Sequence, residues 1–353
     1  MVDTQRWVDD DDDALYALDG TVDALGVLSS TRRVVEQGEH VWINREQIER
    51  LASSWIQHNE QNRALDAELW NEQYHFNDAT ERTANWVLLL DALNFCFWAE
   101  KGQPRWQIAY QGELLNGYWA EAASLKQAVE EGFPLWDATY LSTISSEDMA
   151  HILRGTEGSP AIPLFEQRVE NAREVGRVLS ERYEGQFARL IEQAGRSASR
   201  LAALLAEHFP SFRDVAAYRG QEIRFYKRAQ ICVADLQGTF GGKQWGEFFD
   251  IDQLTAFADY KLPQVLRHYG VLEYLPSLAA RVESQQLLAP GSEEEVEIRA
   301  ATIWASELLR RAMEREGHTM TPAEIDQRLW LLGQSGQNAT DMRPYHRTRT
   351  IYY

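Results

Sequence analysis

Hydrophobic and polar positions along most of the chain repeat with the period of about 3.6 residues that is typical of α-helices. The pattern from Asn44 to Gln47 indicates a helix start of the capping-box type. Ile48, Leu51 and Trp55 then follow at helical spacing. Further helices are predicted over 78–100, over 125–132, from Ser145, over 165–209 as two or three helices, from Pro263 to Gly270, from Ser292 to about Glu316, and from Thr321.

One stretch departs from the helical period. Between residues 106 and 120, Trp106, Ile108 and Tyr110 alternate with other residues, and Gly112 marks a turn, which predicts a short β-hairpin. No internal repeat or low-complexity linker divides the chain. The sequence therefore predicts one mainly α-helical domain over residues 1–353 with a small β-hairpin. Residues 1–20, which contain the Asp9–Asp13 run, are expected to form a frayed acidic N-terminus.

The charge and composition limit the classes of partner. The 353 residues carry a formal net charge of −19. This charge repels phosphate backbones, so we expect no stable binding of nucleic acid. No apolar run reaches the roughly 18 residues that a membrane helix needs, and the N-terminus lacks signal-peptide features. Cys96 and Cys232 lie in apolar runs and are expected to be reduced, which favours a cytoplasmic protein.

Common catalytic motifs are missing from the sequence. It has no glycine-rich phosphate loop, no HExxH, no paired CxxC and no GxSxG. We therefore predict no metal site and no cofactor. Chemistry has to come from carboxylates, aromatic rings and a few basic side chains.

The first candidate cluster lies in the predicted helix 78–100. Asp91, Asn94 and Trp98 have the i, i+3, i+7 spacing of one helix face. Polar groups in so apolar a helix must either be paired or face a cavity. Both interpretations stay open from the sequence.

The second candidate cluster contains Lys227, Arg228 and Asp235. The two cations are suited to bind a phosphate, and Asp235 interrupts an apolar stretch. A salt bridge between Asp235 and a nearby base is the structural alternative.

The third candidate is Asp259, which lies one turn before the predicted Pro263 helix. Leu262 at the expected N-cap position has no side-chain acceptor, so the first helical amides lack a partner. A carboxylate near them is stabilised as an anion. An ionised aspartate beside aromatic rings suits a reaction with an oxocarbenium-like transition state. The alternative is that Asp259 only satisfies the amides.

The C-terminal segment is basic and aromatic. Arg343, His346, Arg347 and Arg349 lie close together in an otherwise acidic chain. They are either a solvated tail or further phosphate ligands, and the final Ile351-Tyr352-Tyr353 favours a tail that packs into the fold.

Several segments taken together resemble one family, the queuosine salvage proteins, which are queuosine 5′-phosphate N-glycosylase/hydrolases. The resemblance covers most of the chain, from about residue 70 to the C-terminus. It is carried by ANWVLLLDALNFCFW at 84–98, GYWA at 117–120, SFRD at 211–214, FYKRAQICVADL at 225–236, FADYKLPQVL at 257–266, EVEIRAATIW at 295–304 and PYHRTRTIYY at 344–353.

The resemblance implies an all-helical fold similar to helix-hairpin-helix DNA glycosylases. It also implies hydrolysis of queuosine 5′-monophosphate to ribose 5-phosphate and queuine, a 7-deazaguanine base that is reused in tRNA modification. Two alternatives remain, namely a non-catalytic queuine-binding protein and a glycosylase that acts on nucleic acid.

The family motifs also suggest roles for individual residues. The resemblance makes Asp259 the catalytic residue and Phe257 a wall of the base pocket, with His75 lining the same pocket. Asp326 and Trp330 match an acidic residue four positions before a tryptophan. Queuine carries an amine, which gives Asp326 a physical reason to face it.

The chain departs from the family at Leu331, a position that is often acidic in relatives. A second acidic contact to queuine is therefore missing or supplied from elsewhere. Lys227, Arg228, Arg343, His346 and Arg347 are the cations available for the 5′-phosphate, and the sequence does not rank them.

Overall fold

The computed structural model describes residues 15–18, 20–57, 72–334 and 341–353. These residues form fourteen α-helices and three two-stranded antiparallel sheets, so the predicted mainly helical fold with a small β-hairpin is confirmed. The helices are α1 (Val27–Gln37), α2 (Arg45–Gln57), α3 (Glu81–Leu93), α4 (Gly117–Glu130), α5 (Ala138–Thr143), α6 (Ser146–Ile152), α7 (Phe165–Arg182), α8 (Phe187–Ala194), α9 (Ala198–His208), α10 (Lys227–Thr239), α11 (Lys261–His268), α12 (Pro276–Glu283), α13 (Glu293–Arg315) and α14 (Pro322–Gln334). The strands are β1 (Val41–Ile43), β2 (Gln107–Tyr110), β3 (Glu113–Asn116), β4 (Val215–Tyr218), β5 (Gln221–Arg224) and β6 (Leu272–Tyr274).

Four of the predicted helix starts are capped by the side chain that the sequence indicates. In each, a side-chain oxygen accepts a hydrogen bond from the amide three residues later, over 2.9–3.4 Å. The pairs are Asn44 with Gln47, Ser145 with Asp148, Ser292 with Glu295, and Thr321 with Glu324. The stretch 165–209 contains three helices, within the predicted two or three.

The predicted hairpin is formed by β2 and β3, with Ile108 opposite Leu115. A second hairpin, β4–β5, was not predicted from the sequence. It turns at Arg219 and Gly220, whose φ angles are 47° and 81°. Two successive positive φ angles match the twist of a two-residue hairpin turn, and a non-glycine residue in that conformation is hard to recognise from sequence.

Helix α3 is buried on every side from Thr83 to Leu93 and packs against α7, α8 and α10. A helix that is apolar all round is expected at the centre of a fold. The helix ends at Leu93, so the prediction of a helix to residue 100 was wrong. The reason lies in distant side chains. Arg168 and Asn171 on α7, together with Arg228 on α10, donate hydrogen bonds to carbonyl oxygens at the end of α3 and of the residues just after it.

The C-terminal segment returns to this centre, which confirms that the tail packs into the fold. The Cys96 amide donates to the Tyr353 carbonyl over 3.0 Å, and Tyr353 is 2% exposed. At the other end, residues 1–14 of the predicted frayed segment 1–20 lie outside the described residues. Tyr16 is buried and packs edge-on against Trp304, so the frayed segment does not extend as far as residue 20. That residues 1–353 form one domain stays a prediction.

A buried ion pair between Asp214 and Arg299 connects three parts of the fold. The Arg299 guanidinium donates to both Asp214 oxygens over 2.9 and 2.5 Å, and its Nε donates to the Ala258 carbonyl over 3.2 Å. Asp214 also accepts from the Lys227 amide over 3.2 Å. Helix α13, the first turn of α10 and the segment before α11 are thereby held together.

No helix in the described ranges is both long enough and apolar enough to cross a membrane.

Replacing Arg299 by Met is expected to lower the free energy of unfolding by about 3–5 kcal/mol, because Asp214 is left buried without its partner. Urea unfolding followed by circular dichroism measures the change. Arg315→Met is the matched control, because it removes an exposed ion pair with Glu49 and should cost less than about 1 kcal/mol. Equal unfolding midpoints for the two variants would contradict the structural role of Arg299.

Candidate active site

A cavity of about 500 Å³ opens between the start of α4, one face of α10, the segment before α11 and the first half of α14. Its lining combines carboxylates, cations and aromatic rings, which suits a small planar ligand that carries charged groups. The charged lining residues are Asp235, Asp259, Glu324, Asp326, Arg105, Lys227 and Lys261, and the aromatic ones are Phe95, Phe97, Tyr118, Trp119, Phe257, Tyr260, Trp330, Tyr345 and Tyr353. In the described part of the chain, no three His, Cys, Asp or Glu side chains are grouped to hold a metal ion.

Asp259 lines this cavity and also caps α11. Its Oδ1 accepts from the Lys261 amide over 2.7 Å and from the Leu262 amide over 2.9 Å. The helix begins at Lys261, so the prediction that Pro263 is its first residue was wrong by two positions. Oδ2 accepts no hydrogen bond from the described residues and is left for a ligand. The two interpretations of Asp259 are therefore compatible, since each uses a different oxygen.

The charge state of Asp259 depends on Lys227. Burial raises the pKa of Asp259, while the Lys227 ammonium and the Leu262 and Lys261 amides oppose this rise. Burial lowers the pKa of Lys227, and the Asp259 charge opposes that change in turn. Each group therefore stabilises the ionised form of the other in a buried position.

Asp326 and Phe257 are joined across the cavity wall. The Phe257 amide donates to Asp326 Oδ1 over 2.6 Å. Burial raises the pKa of Asp326 well above its usual range, and the nearby Asp259 charge adds to the rise. Trp330 lines the same cavity as Asp326 and Phe257, with its ring centroid 5.8 Å from that of Trp119. These residues form an aromatic wall with a carboxylate at its edge.

Leu331 is buried and does not line the cavity. Glu324 on the first turn of the same helix does line it, while its Oε2 accepts from the Thr321 amide over 2.6 Å. A second carboxylate is therefore present on α14, although not at the position where the family pattern has it.

His75 does not line the cavity. It is 1% exposed and lies behind Tyr118, with His75 Nε2 and the Tyr118 hydroxyl 2.9 Å apart. Tyr118 itself lines the cavity. His75 thus supports a lining residue.

Of the five cations considered for a phosphate, Lys227 alone lines the cavity. The other four, which the sequence left unranked, do not line the cavity and have contacts elsewhere. Arg228 binds carbonyls at the end of α3, Arg343 is a surface residue near Glu283, His346 Nε2 is 3.2 Å from the Tyr353 hydroxyl, and Arg347 lies over the Trp98 ring. Burial lowers the pKa of His346 to about 3, so it carries no positive charge for a phosphate.

Two cavity cations were missed. Lys261 Nζ is 3.2 Å from Gln264 Oε1, and Arg105 Nη2 donates to the Tyr345 hydroxyl over 3.4 Å. Burial lowers the pKa of Lys261, and the positive charge of Arg105 lowers it further. The place of Lys261 in FADYKLP, two residues after Asp259, was a usable signal. Arg105 has no comparable sequence signal, because it lies in the loop before β2.

The first candidate cluster is only partly preserved. Asp91 is buried within α3, and Asn94 lines the cavity. Trp98 lies beyond the end of the helix, so the three residues do not share one helix face. The change of direction after Leu93, with Cys96 at φ 50°, separates them.

This arrangement defines a helical protein with a deep acidic and aromatic cavity around a capped aspartate. The profile of the family described as queuosine salvage protein matches residues 74–353. A queuosine 5′-phosphate N-glycosylase/hydrolase of Sphaerobacter thermophilus is 50% identical over 332 residues, which cover 94% of this chain and 98% of that protein. A protein of the same name from Mus musculus is 38% identical over 92% of this chain and 97% of its own length. Another from Schizosaccharomyces pombe is 33% identical over 81% of this chain and 88% of its own length. The chain belongs to the queuosine salvage protein family.

Proposed function

We propose that this protein hydrolyses the N-glycosidic bond of queuosine 5′-monophosphate and releases queuine and ribose 5-phosphate. A relative named queuosine 5′-phosphate N-glycosylase/hydrolase is 50% identical over 94% of the chain. The observation that carries the proposal is the position of Asp259, which has one oxygen without a hydrogen-bond partner among the described residues and lines a cavity with cations and aromatic rings. The net charge of −19 supports a nucleotide substrate over a nucleic acid. Cys96 and Cys232 are buried free thiols, which supports a reducing, cytoplasmic setting.

The reaction requires a negative charge at the sugar. As the bond between C1′ and the base breaks, positive charge develops on the ribose ring. Asp259 Oδ2 stabilises this charge and accepts a proton from the attacking water. The two amides that hold Oδ1 keep the carboxylate in place and favour its ionised form. Little reorganisation is then needed during the reaction.

The base is held by the opposite part of the cavity. Phe257 and Trp330 provide flat faces for the deazaguanine ring. Asp326 and Glu324 provide carboxyl groups for the amine on the cyclopentenediol arm, and the positive charge of that amine opposes the rise that burial causes in the pKa of Asp326. This division places the base towards α14 and the ribose towards α11.

The 5′-phosphate is assigned to Arg105 and Lys261. Both side chains line the cavity beside Tyr345. Two neighbouring positive charges stabilise the phosphate dianion more than either does alone. Lys227 lies nearest in charge interaction to Asp259, so its charge is used to stabilise the ionised form of that residue.

Asp259→Asn is expected to lower queuine release at least about 100-fold, because the neutral amide neither stabilises the ribosyl cation nor accepts the proton from water. Chromatography of nucleotide, nucleoside and base after incubation measures the rate. Asp252→Asn, an exposed site in the preceding turn, is the matched control and should keep the wild-type rate. A wild-type rate for Asp259→Asn would overturn the catalytic assignment, and a wild type that binds queuine without hydrolysing the nucleotide would favour a carrier protein.

Lys227→Met is expected to move the acidic limb of the profile of kcat/KM against pH upwards by about one unit or more. Asp259 acts in its ionised form, so activity is lost as the pH falls through its pKa. Removal of the Lys227 charge raises that pKa further. An acidic limb at the wild-type pH would show that Lys227 does not stabilise the ionised Asp259.

Arg105→Met and Lys261→Met are each expected to raise KM for the nucleotide about 10- to 100-fold, because each removes a charge-assisted hydrogen bond to phosphate. The backbone amide of residue 261 still caps Asp259 in the second variant. Calorimetric binding of free queuine, which has no phosphate, is the control and should not change. If the affinities for the nucleotide and for queuine fell by the same factor, these cations would contact the base and not the phosphate.

A further inference from the structure

The cavity contains a carboxylate to which the proposed mechanism gives no role. Asp235 on α10 lines the cavity, and Asp91 lies behind it on α3, the helix against which α10 packs. Asp91 is 0% exposed, and neither of its oxygens has a hydrogen-bond partner among the described residues. A buried carboxylate without a partner is far more stable as the neutral acid than as an anion.

The groups around Asp235 come from four helices. They are Asp91 on α3, Tyr118 on α4, Lys227 and Cys232 on α10 itself, and Asp326 on α14. Burial raises the pKa of Asp235 to about 7, against the opposing effects of Lys227 and Tyr118. Burial and the Asp235 charge raise the pKa of Asp91 well above its usual range. Burial therefore favours the protonated form of both members of this pair, and Asp235 presents its carboxyl group to the cavity.

Each of the other three cavity carboxyl groups accepts a hydrogen bond from at least one backbone amide. Asp259 accepts from two backbone amides, Asp326 accepts from the Phe257 amide, and Glu324 accepts from the Thr321 amide. Among the described residues, no backbone N–H donates to Asp235. Such hydrogen bonds favour the charged form and occupy one oxygen of the carboxyl group. Burial favours the protonated form of Asp326 as well, but Asp235 is the cavity carboxyl without a backbone N–H donor among the described residues, so it is best placed to give a proton to a ligand.

We infer that Asp235 is the general acid that protonates the departing base. The inference rests on the proposed hydrolysis and adds a second catalytic residue to it. Two carboxyl groups in one site then have opposite tasks, with Asp259 ionised and Asp235 protonated. Two backbone amides donate to Asp259, which favours its ionised form. Asp235 lies against the buried Asp91, which favours its protonated form.

The proton balance of the step is complete. The bond between C1′ and N9 breaks, and its electron pair remains with the base. Asp235 gives its proton to a ring nitrogen of the base, because the carbon at position 7 of a deazaguanine offers no lone pair there. Water adds to C1′ and gives a proton to Asp259. Transfer of that proton back to Asp235 through solvent restores the enzyme, and no oxidant, reductant or other reactant is consumed.

The test compares a poor and a good leaving group in the full-length protein. For Asp235→Asn we expect kcat on queuosine 5′-monophosphate to fall about 100-fold. On 4-nitrophenyl β-D-ribofuranoside 5-phosphate, whose leaving group needs no proton, the variant should remain within about threefold of the wild type. Asp259→Asn should lose activity on both substrates, because both reactions pass through the same ribosyl cation.

The profile of rate against pH for queuosine 5′-monophosphate is the second measurement. Asp235 acts in its protonated form, so wild-type activity falls as the pH rises through its pKa, and Asp235→Asn should lack this basic limb. The inference is overturned if the variant keeps the limb, or if it loses the same factor on both substrates. If the wild type itself releases no queuine from the nucleotide, the proposed function fails instead.

Discussion

The buried ion pair of Asp214 and Arg299 is the interaction on which the geometry of the cavity depends. Asp214 fixes the amide of Lys227, and Arg299 fixes the carbonyl of Ala258, which directly precedes Asp259. The Arg299 guanidinium lies 3.9 Å from the Phe225 ring centroid and 4.6 Å from that of Tyr353. Burying two charges is costly unless nearly every donor has an acceptor. Through its hydrogen bonds to Asp214 and to the Ala258 carbonyl, Arg299 thus helps to position Lys227 and Asp259, whose opposite charges interact.

Charge within the cavity is arranged locally and against the overall sign of the protein. The whole chain carries −19, yet Arg105, Lys227 and Lys261 lie beside the carboxylates of the cavity. Each cation has a different surrounding, because Lys227 is among carboxylates while Arg105 and Lys261 are beside Tyr345. Groups that are fixed before the substrate arrives stabilise developing charge without reorganisation. The cavity can therefore bind a negatively charged group of a ligand through Arg105 and Lys261 and stabilise a positive charge elsewhere on that ligand through Asp259.

The sequence predicted those features that depend on neighbouring residues. The capped helix starts at Asn44, Ser145, Ser292 and Thr321 and the β2–β3 hairpin each follow from a few adjacent positions. Asp259 became a candidate in the same way, from its distance to a helix that lacked a cap, whereas its catalytic role was implied by the family resemblance.

Features that depend on distant contacts could not be predicted. Helix α3 ends early because Arg168 and Arg228, many residues away, bind its last carbonyls. The same contacts remove Arg228 from the list of phosphate ligands, while Arg105 enters the cavity from a loop without a recognisable pattern. A basic residue near a motif gives no indication of the direction in which its side chain points, and burial decides that direction.

The central claim concerns the position of one carboxylate relative to one carbon atom. A crystal structure of the Asp259→Asn variant with intact queuosine 5′-monophosphate measures it most directly. We expect an oxygen or nitrogen of the residue 259 side chain within about 3.5 Å of C1′, close enough to stabilise charge there and to orient water. A separation of more than about 6 Å, with another carboxylate nearer to C1′, would contradict the assignment of Asp259.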